Sequence, residues 1–328
     1  MARAAHRRDI PCRAVAAGVV QLGLGVYQRH LGTAVSPYAT PNVAGPADAA
    51  AHAVAVVGWR AFGGDLAPDV LRLAERAADR YGLDVATVTV TAGPSPEVTV
   101  VSAGVDLGAH PRDADAIADA IVAQLFPPGA PARIPVAVVI GGGEVRDRLG
   151  ALLASAGHRV GLADDSSILD HPHVDLAVIR TIPGAGLALD RCDLLVVGAD
   201  ACPDLSGTLL PTVCRTGGVV LHADHPQVDQ LAAATDARAV YVGDRSDHPR
   251  LAARAGSGGS IVYGARGSVV VRHAGRAEPL VDHAEPPGEL LLALAGWWSL
   301  GGPARSAGSM RLRPGPSGDP TRPSVRVA

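Results

Sequence analysis

Apolar and polar positions follow two different rhythms along the chain, and the change falls near residue 130. Before it, Leu66–Tyr81 places Leu71, Ala74, Ala78 and Tyr81 at helical spacing with Arg, Asp and Glu between them, which predicts an amphipathic helix. Asp84–Thr91 and Glu97–Val101 alternate or run β-branched around the breaker segment Gly93–Pro96, which predicts a hairpin-like strand pair. Asp113–Leu125 returns to helical spacing. The first ten residues carry no pattern and predict a loose end. An apolar stretch with glycines at 23 and 25 covers Val19–Tyr27, and Thr33–Pro46 is rich in Pro, Ser, Thr and Gly. The strongest break is FPPGAPARIP, residues 126–135. Beyond it, short continuous apolar runs alternate with helical segments. Val136–Ile140 leads through GGG into a helix to about Ala156; Arg159–Ala163, Asp175–Arg180, Asp193–Val197, Gly218–His222, Ala239–Val242 and Ser260–Tyr263 follow. Runs that are apolar at every position predict strands buried on both faces, hence an α/β fold with a parallel sheet flanked by helices. From Gly301 the sequence falls to Gly, Pro, Ser and Arg, which predicts a disordered tail. The expected organisation is a flexible N-terminus (1–18), a smaller α+β region (19–125), a linker (126–135), the α/β domain (136–300) and the tail (301–328).

Composition narrows the chemistry. At 328 residues and 48% hydrophobic, the chain has ample material for a core, and with only 3% aromatic residues that core must be built from Ala, Val and Leu. A formal charge of −3 gives no general electrostatic case for nucleic acid or anionic membranes. The tail arginines 305, 311, 313, 322 and 326 read as a solvated end. No lysine occurs, so all 29 basic residues are arginine and every mechanism that needs a lysine ammonium is excluded. Cysteines 12, 192, 202 and 214 show no CxxC spacing, which suits reduced thiols in a cytoplasmic protein; Cys192 and Cys202 read as buried hydrophobes. The apolar stretch Ala14–Val26 is interrupted by Gln21 and lacks a small-x-small cleavage site, so no signal peptide is expected. ELLLALAGWWSL (289–300) is too short for the ~20 residues of a membrane span and reads as a packed helix, with Trp297 and Trp298 partly exposed or at a contact.

The sharpest local signal is strand–GGG–helix over 136–156, with Asp164 and Asp165 about twenty residues on. Gly141–Gly143 suit close approach of backbone N–H groups to a phosphate, or simply a structural turn, with Glu144 favourable at the helix start. A dinucleotide site would use Asp164 on a ribose, yet the third glycine of such a fingerprint is Arg146; Asp164 and Asp165 read sooner as a loop or helix cap. His222-x-x-His225 with Asp224 between reads as a metal pair or a strand-end loop, and His171-Pro-His173 as an exposed turn.

Longer collinear stretches carry a family resemblance. FPPGAPARIP, then AGHRVGLADD, then Leu189–Asp190–Arg191–Cys192–Asp193, then Leu221–His222–Ala223–Asp224–His225–Pro226 resemble, in order, the Mur-ligase central domain of cyanophycin synthetases, whose segments read FPPG-x-P-x-RIP, FDRCD and LNADDP. Upstream, VVQLGLGVYQRHLGTAVS (19–36), LRLAERAADRYGLDVATVTV (71–90) and EVTVVSAGVDLGAH (97–110) resemble parts of that family's ATP-grasp module. The resemblance implies a P-loop-type α/β domain preceded by an α+β ATP-grasp-like remnant, and ATP-dependent formation of C–N bonds with Mg-ATP as cofactor.

The matched functional positions depart from that pattern. Where the family has TGTNGKTT, this chain reads Val139–Arg146, so the phosphate-binding lysine becomes Glu144 and the metal-binding hydroxyl Val145. A lysine on a triphosphate oxygen gains about 4 kcal/mol at 4 Å and an effective dielectric of 20, and Glu144 reverses that sign. The family's metal-binding glutamate falls on Arg180, and its N-x-x-(D/E)-D-H segment after the next strand falls on Ala199–Asp204, where neither family acid is matched and Asp204 puts an acid at the histidine position. His222 and Asp224 fall in the LNADDP stretch. The ATP-grasp metal positions become Thr89, Val100 and Ser102, residues 40–65 leave no room for a central nucleotide lobe, and no Mur C-terminal domain is recognisable after Leu300. Three readings follow. The first is a non-catalytic relative, with no catalytic residues, metal or cofactor, serving as a binding or assembly partner of an intact ligase or of its own copies. The second is a divergent ATP-dependent carboxylate–amine ligase using Arg146 or Arg180 and Mg-ATP. The third is a dinucleotide-binding protein using Gly141–Gly143 and Asp164 with NAD or FAD.

Overall fold

In the computed structural model, residues 1–302 are described apart from 17–18, 33–50, 59, 84, 92–94, 104, 106, 182–186, 188, 266 and 284–285. The expected tail beyond residue 302 and the whole Thr33–Pro46 stretch therefore lie outside the described residues. Contacts divide the chain into two units, Met1–Pro135 with Ser167–Ala177 and Val136–Ser166 with Val178–Ala328. The division at Pro135 falls at the end of the Pro/Gly stretch.

The first unit runs α1 (Ala2–Arg7), β1 (Cys12–Ala16), β2 (Val19–Leu22), β3 (Arg29–Gly32), β4 (Ala51–Val57), β5 (Arg60–Phe62), α2 (Pro68–Arg80), β6 (Val85–Thr91), β7 (Glu97–Ala103) and α3 (Ala114–Leu125). Over residues 54–57, strand β4 turns alternate residues to opposite faces. Val54 and Val56 join Ala86, Val88 and Val90 of β6 against Val70, Ala74 and Ala78 of α2, while Ala55 and Val57 face Ile117 and Ile121 of α3. The sheet β5-β4-β6-β7 is thus covered by a helix on each face, and β6 and β7 form the expected antiparallel hairpin. Helix α2 starts with Pro68 at its first position, where a missing N–H costs nothing, and ends on Arg80. Its buried stripe is Val70–Ala74–Ala78, and Tyr81, expected on that face, is 63% exposed because the helix has already ended.

The N-terminus differs from the expected loose end over 1–18. Ala4 and Ala5 of α1 are buried with Leu22, Ala118, Val122 and Phe126, and Arg7 holds Asp119 of α3 at 2.6 and 2.7 Å. Strands β1, β2 and β3 form a separate antiparallel sheet. Alanine gives little hydrophobic signal, so a helix anchored by two of them is nearly invisible to periodicity.

The second unit runs β8 (Val136–Ile140), α4 (Gly143–Ser155), β9 (Val160–Ala163), β10 (Leu176–Thr181), β11 (Cys192–Val197), α5 (Pro203–Leu209), β12 (Val213–His222), α6 (Val228–Ala233), β13 (Arg238–Gly243), α7 (Pro249–Gly256), β14 (Ser260–Ala265), β15 (Ser268–His273), β16 (Arg276–Asp282) and α8 (Gly288–Ser299). Its nine-stranded sheet has the order β16-β15-β14-β13-β12-β11-β8-β10-β9. The pairs β8/β11, β11/β12, β12/β13 and β13/β14 are parallel, and β14/β15/β16 append an antiparallel edge. Helix α8 is buried from Leu290 through Trp297, with Gly296 against Leu149 of α4 and Leu194 of β11. Trp297 is therefore core, 1% exposed, and Trp298 carries Arg238 over its ring at 4.6 Å. From β8 the chain passes through α4 to the β9 edge, returns by β10, then crosses to β11 on the other side of β8. The direction of winding reverses between β8 and β11. At such a switch point the loops leaving the strand ends part and open a crevice.

Candidate functional site

The glycine turn lies at that crevice. Gly141 leaves β8 at φ +129°, Gly142 caps α4 in extended conformation, and Gly143 begins the helix. The matching exit from β11 is Gly198, whose N–H bonds Ile140 O at 3.1 Å. Between them is a cavity of about 150 Å³, lined among others by Ile140, Gly142, Gly198, Asp200, His222 and Glu289. His222, at the end of β12, accepts the Asp224 N–H on Nδ1 at 3.2 Å, and its Nε2 is 3.7 Å from where a Cβ on Gly288 would stand.

The structure separates several residues that the sequence placed together. Asp204 sits exposed in the first turn of α5 and does not line the cavity. The Asp224 carboxylate accepts His248 Nε2 at 3.1 Å and lies 3.6 Å from His222 Nδ1. His225 is fully buried. Its Nε2 meets Ala201 O at 3.2 Å and its Nδ1 accepts the Gln227 N–H at 3.2 Å, so the ring braces the loop and is not directed at His222 as a metal pair requires. Burial is the main cause that holds its pKa below the usual value. Among the described residues no three His, Cys, Asp or Glu side chains converge as a metal site would need. Cys192 is buried as expected, its thiol pushed up to about 11 chiefly by that burial, whereas Cys202 is only half-buried. His171 and His173 are exposed. In the first unit, Thr89 pairs with Val100 and Thr87 with Ser102 across β6 and β7.

Behind the turn lies a charge cluster. Glu144, in the first turn of α4, is paired with Arg148 one turn on. Arg146 donates to Asp147 at 2.8 Å and to Asp164 Oδ1 at 2.6 Å. Arg180, near the end of β10, grips the same carboxylate in a fork, Nε to Oδ1 at 2.9 Å and Nη2 to Oδ2 at 2.8 Å. Its Nη1 stands 2.8 Å from where a Cβ on Gly143 would be. Asp164, read from sequence as a ribose acceptor or a cap, is an arginine ligand. The sequence also left Gly198, Asp200 and Glu289 unmarked, although Gly198–Asp200 repeats at the end of β11 the strand–glycine break of β8.

These residues do not fit Mg-ATP. Pockets for small ligands enclose roughly 300–1,000 Å³, well above the 150 Å³ found here. Asp200 and Glu289 would suit a divalent cation, but a triphosphate meets no arginine among the cavity's lining residues, and Glu144 sets a carboxylate at the helix start. The two arginines nearest the turn already hold Asp164.

No family model matches the chain. The cyanophycin synthetase of Synechocystis sp. is 28% identical over 242 aligned residues, covering 56% of this chain and 27% of the relative. Those of Crocosphaera subtropica and Geminocystis herdmanii are 25% identical over 241 and 245 residues, with the same coverage. The chain thus spans about a quarter of the length of the curated relatives it matches. Over the stretch it shares with them, the chain is similar to cyanophycin synthetases.

Proposed function

We infer that the chain is a non-catalytic relative of cyanophycin synthetases. It keeps the mostly parallel α/β frame and has lost ATP-dependent C–N bond formation. The observation that carries this reading is the switch-point cavity, which is small and has no arginine in its lining where a triphosphate would need room and cations. Residues 19–125 are read as a truncated ATP-grasp-like region in the same state, since Thr89, Val100 and Ser102 bear no carboxylate for a metal. The remaining role is binding or assembly, with an intact ATP-dependent amide or peptide ligase as partner or with further copies of itself. A second reading, a divergent carboxylate–amine ligase, draws on the guanidinium of Arg180 lying over Gly143. The dinucleotide reading loses its ribose acceptor, because both oxygens of Asp164 are held by arginine.

The test is twofold. Incubation with Mg-ATP, carboxylate donors and amino acids is expected to release no phosphate above the rate without protein, and the chain is expected to co-elute with an intact ligase or as an oligomer. Phosphate release that requires both Mg²⁺ and an amine overturns the reading in favour of the ligase. A strictly monomeric chain that binds no ligase counts against the assembly role.

A further inference from the structure

The non-catalytic reading gives Arg146, Arg180 and Asp164 no role of their own, yet the two arginines converge on one carboxylate near the glycine turn. We propose that Arg146 and Arg180 form an oxyanion-binding site whose occupant in the native chain is its own Asp164 carboxylate. Three observations carry this. Arg180 takes both carboxylate oxygens in a planar fork, the geometry with which a guanidinium also takes two oxygens of a phosphate. The anion is the most exposed member of the group: the Arg146 and Arg180 side chains are 20% and 28% exposed, whereas Asp164 is 49% exposed. A solute can therefore reach the place of the carboxylate without unburying the arginines. Finally, Arg180 Nη1 occupies space that any side chain at Gly143 would claim, so the guanidinium rests on the first residue of α4. The helix end there is positive, and a second positive group beside it needs a counter-anion close by. Glu144 lies in the first turn of α4 and Asp147 on Arg146, but the one anion that joins both arginines is Asp164, from the loop after β9. Its chemical equivalents are inorganic phosphate and the terminal phosphate of a monoester.

The inference rests on the reading that the native chain takes no nucleotide at this turn, and it gives that closure a removable cause. The test uses the full chain, with inorganic phosphate as the probe against chloride at matched ionic strength. Titration calorimetry is expected to show phosphate binding at least tenfold tighter to Asp164→Asn than to the native protein. Asp164→Glu, which keeps a carboxylate, is expected to behave as the native protein does. Adding Arg180→Gln and Arg146→Gln to Asp164→Asn is expected to abolish the gain. A folded Asp164→Asn that binds phosphate no more tightly overturns the proposal, as does a gain that survives loss of both arginines. Should Asp164→Asn fail to fold in chloride, phosphate is expected to restore its circular dichroism, and failure to do so also overturns it. Nucleotide binding by the native protein contradicts the proposed function, whereas absence of the phosphate gain contradicts this inference alone.

Discussion

At the scale of single residues, two buried ring side chains make stability depend on pH in opposite directions. His225 has its pKa lowered first by burial and further by Arg250 and His222, against the Ala201 carbonyl. As pH falls, the unfolded chain takes up that proton before the folded one, so stability is complete above the ordinary histidine range and falls below it. Urea unfolding from pH 7.5 to 5.5 is expected to show a shallower loss for His225→Gln than for the native chain; identical slopes contradict the assignment. Tyr241, 3% exposed, donates to Asp229 Oδ1 at 2.9 Å, and burial followed by that bond raises its pKa to about 12. The folded state holds its proton longer, so this contribution is present below pH 10 and lost as pH rises towards 12. Tyr241→Phe is expected to cost about 0.5–1.5 kcal/mol at neutral pH and to flatten the alkaline decline, read by unfolding at pH 9 to 11.5. Neither partnership is legible in the sequence, because His225–Ala201 and Tyr241–Asp229 join separate segments. The same limit hid Asp164: an acid after one strand and an arginine near the end of the next meet only once β9 and β10 lie side by side.

At the scale of elements, legibility followed burial. Val136–Ile140 is buried at every position and its bounds are the expected ones, and the neighbouring parallel strands were visible for the same reason. The hairpin β15–β16 was not, because Arg272, His273, Arg276 and Glu278 are exposed and break the apolar rhythm at a sheet edge. Strand β12 starts at Val213 instead of the expected Gly218, since its first residues are half-buried or exposed. Helix α8 is the opposite case, with eight consecutive buried residues and hence no amphipathic signal. It packs against α4 and the middle of the sheet, so it is expected to dominate the second unit's stability. Leu294→Ala, at a position of 0% exposure, is expected to cost about 2–5 kcal/mol, measured by denaturant midpoint. A cost below 1 kcal/mol would contradict the central place given to this helix.

For the whole molecule, the decisive fact is distributed. The chain has no lysine anywhere, its glycine turn carries Glu144 where the resemblance implies a phosphate-binding cation, and the crevice beside it is small and acidic. The first two features were readable from sequence, while the third needed the fold that brings Gly142, Gly198, His222 and Glu289 to one place. The central claim is that a nucleotide-ligase frame persists here without its nucleotide. Its most direct test is thermal unfolding of the pure protein with millimolar Mg-ATP, against Mg²⁺ at matched ionic strength and NAD in parallel. A ligand at a hundred times its Kd adds ~2.7 kcal/mol of stability, a readable change in midpoint. The expected result is an unchanged midpoint with Mg-ATP and with NAD. A saturable rise with Mg-ATP alone would contradict the account and restore the ligase reading, and a rise with NAD alone would contradict it in favour of a dinucleotide site.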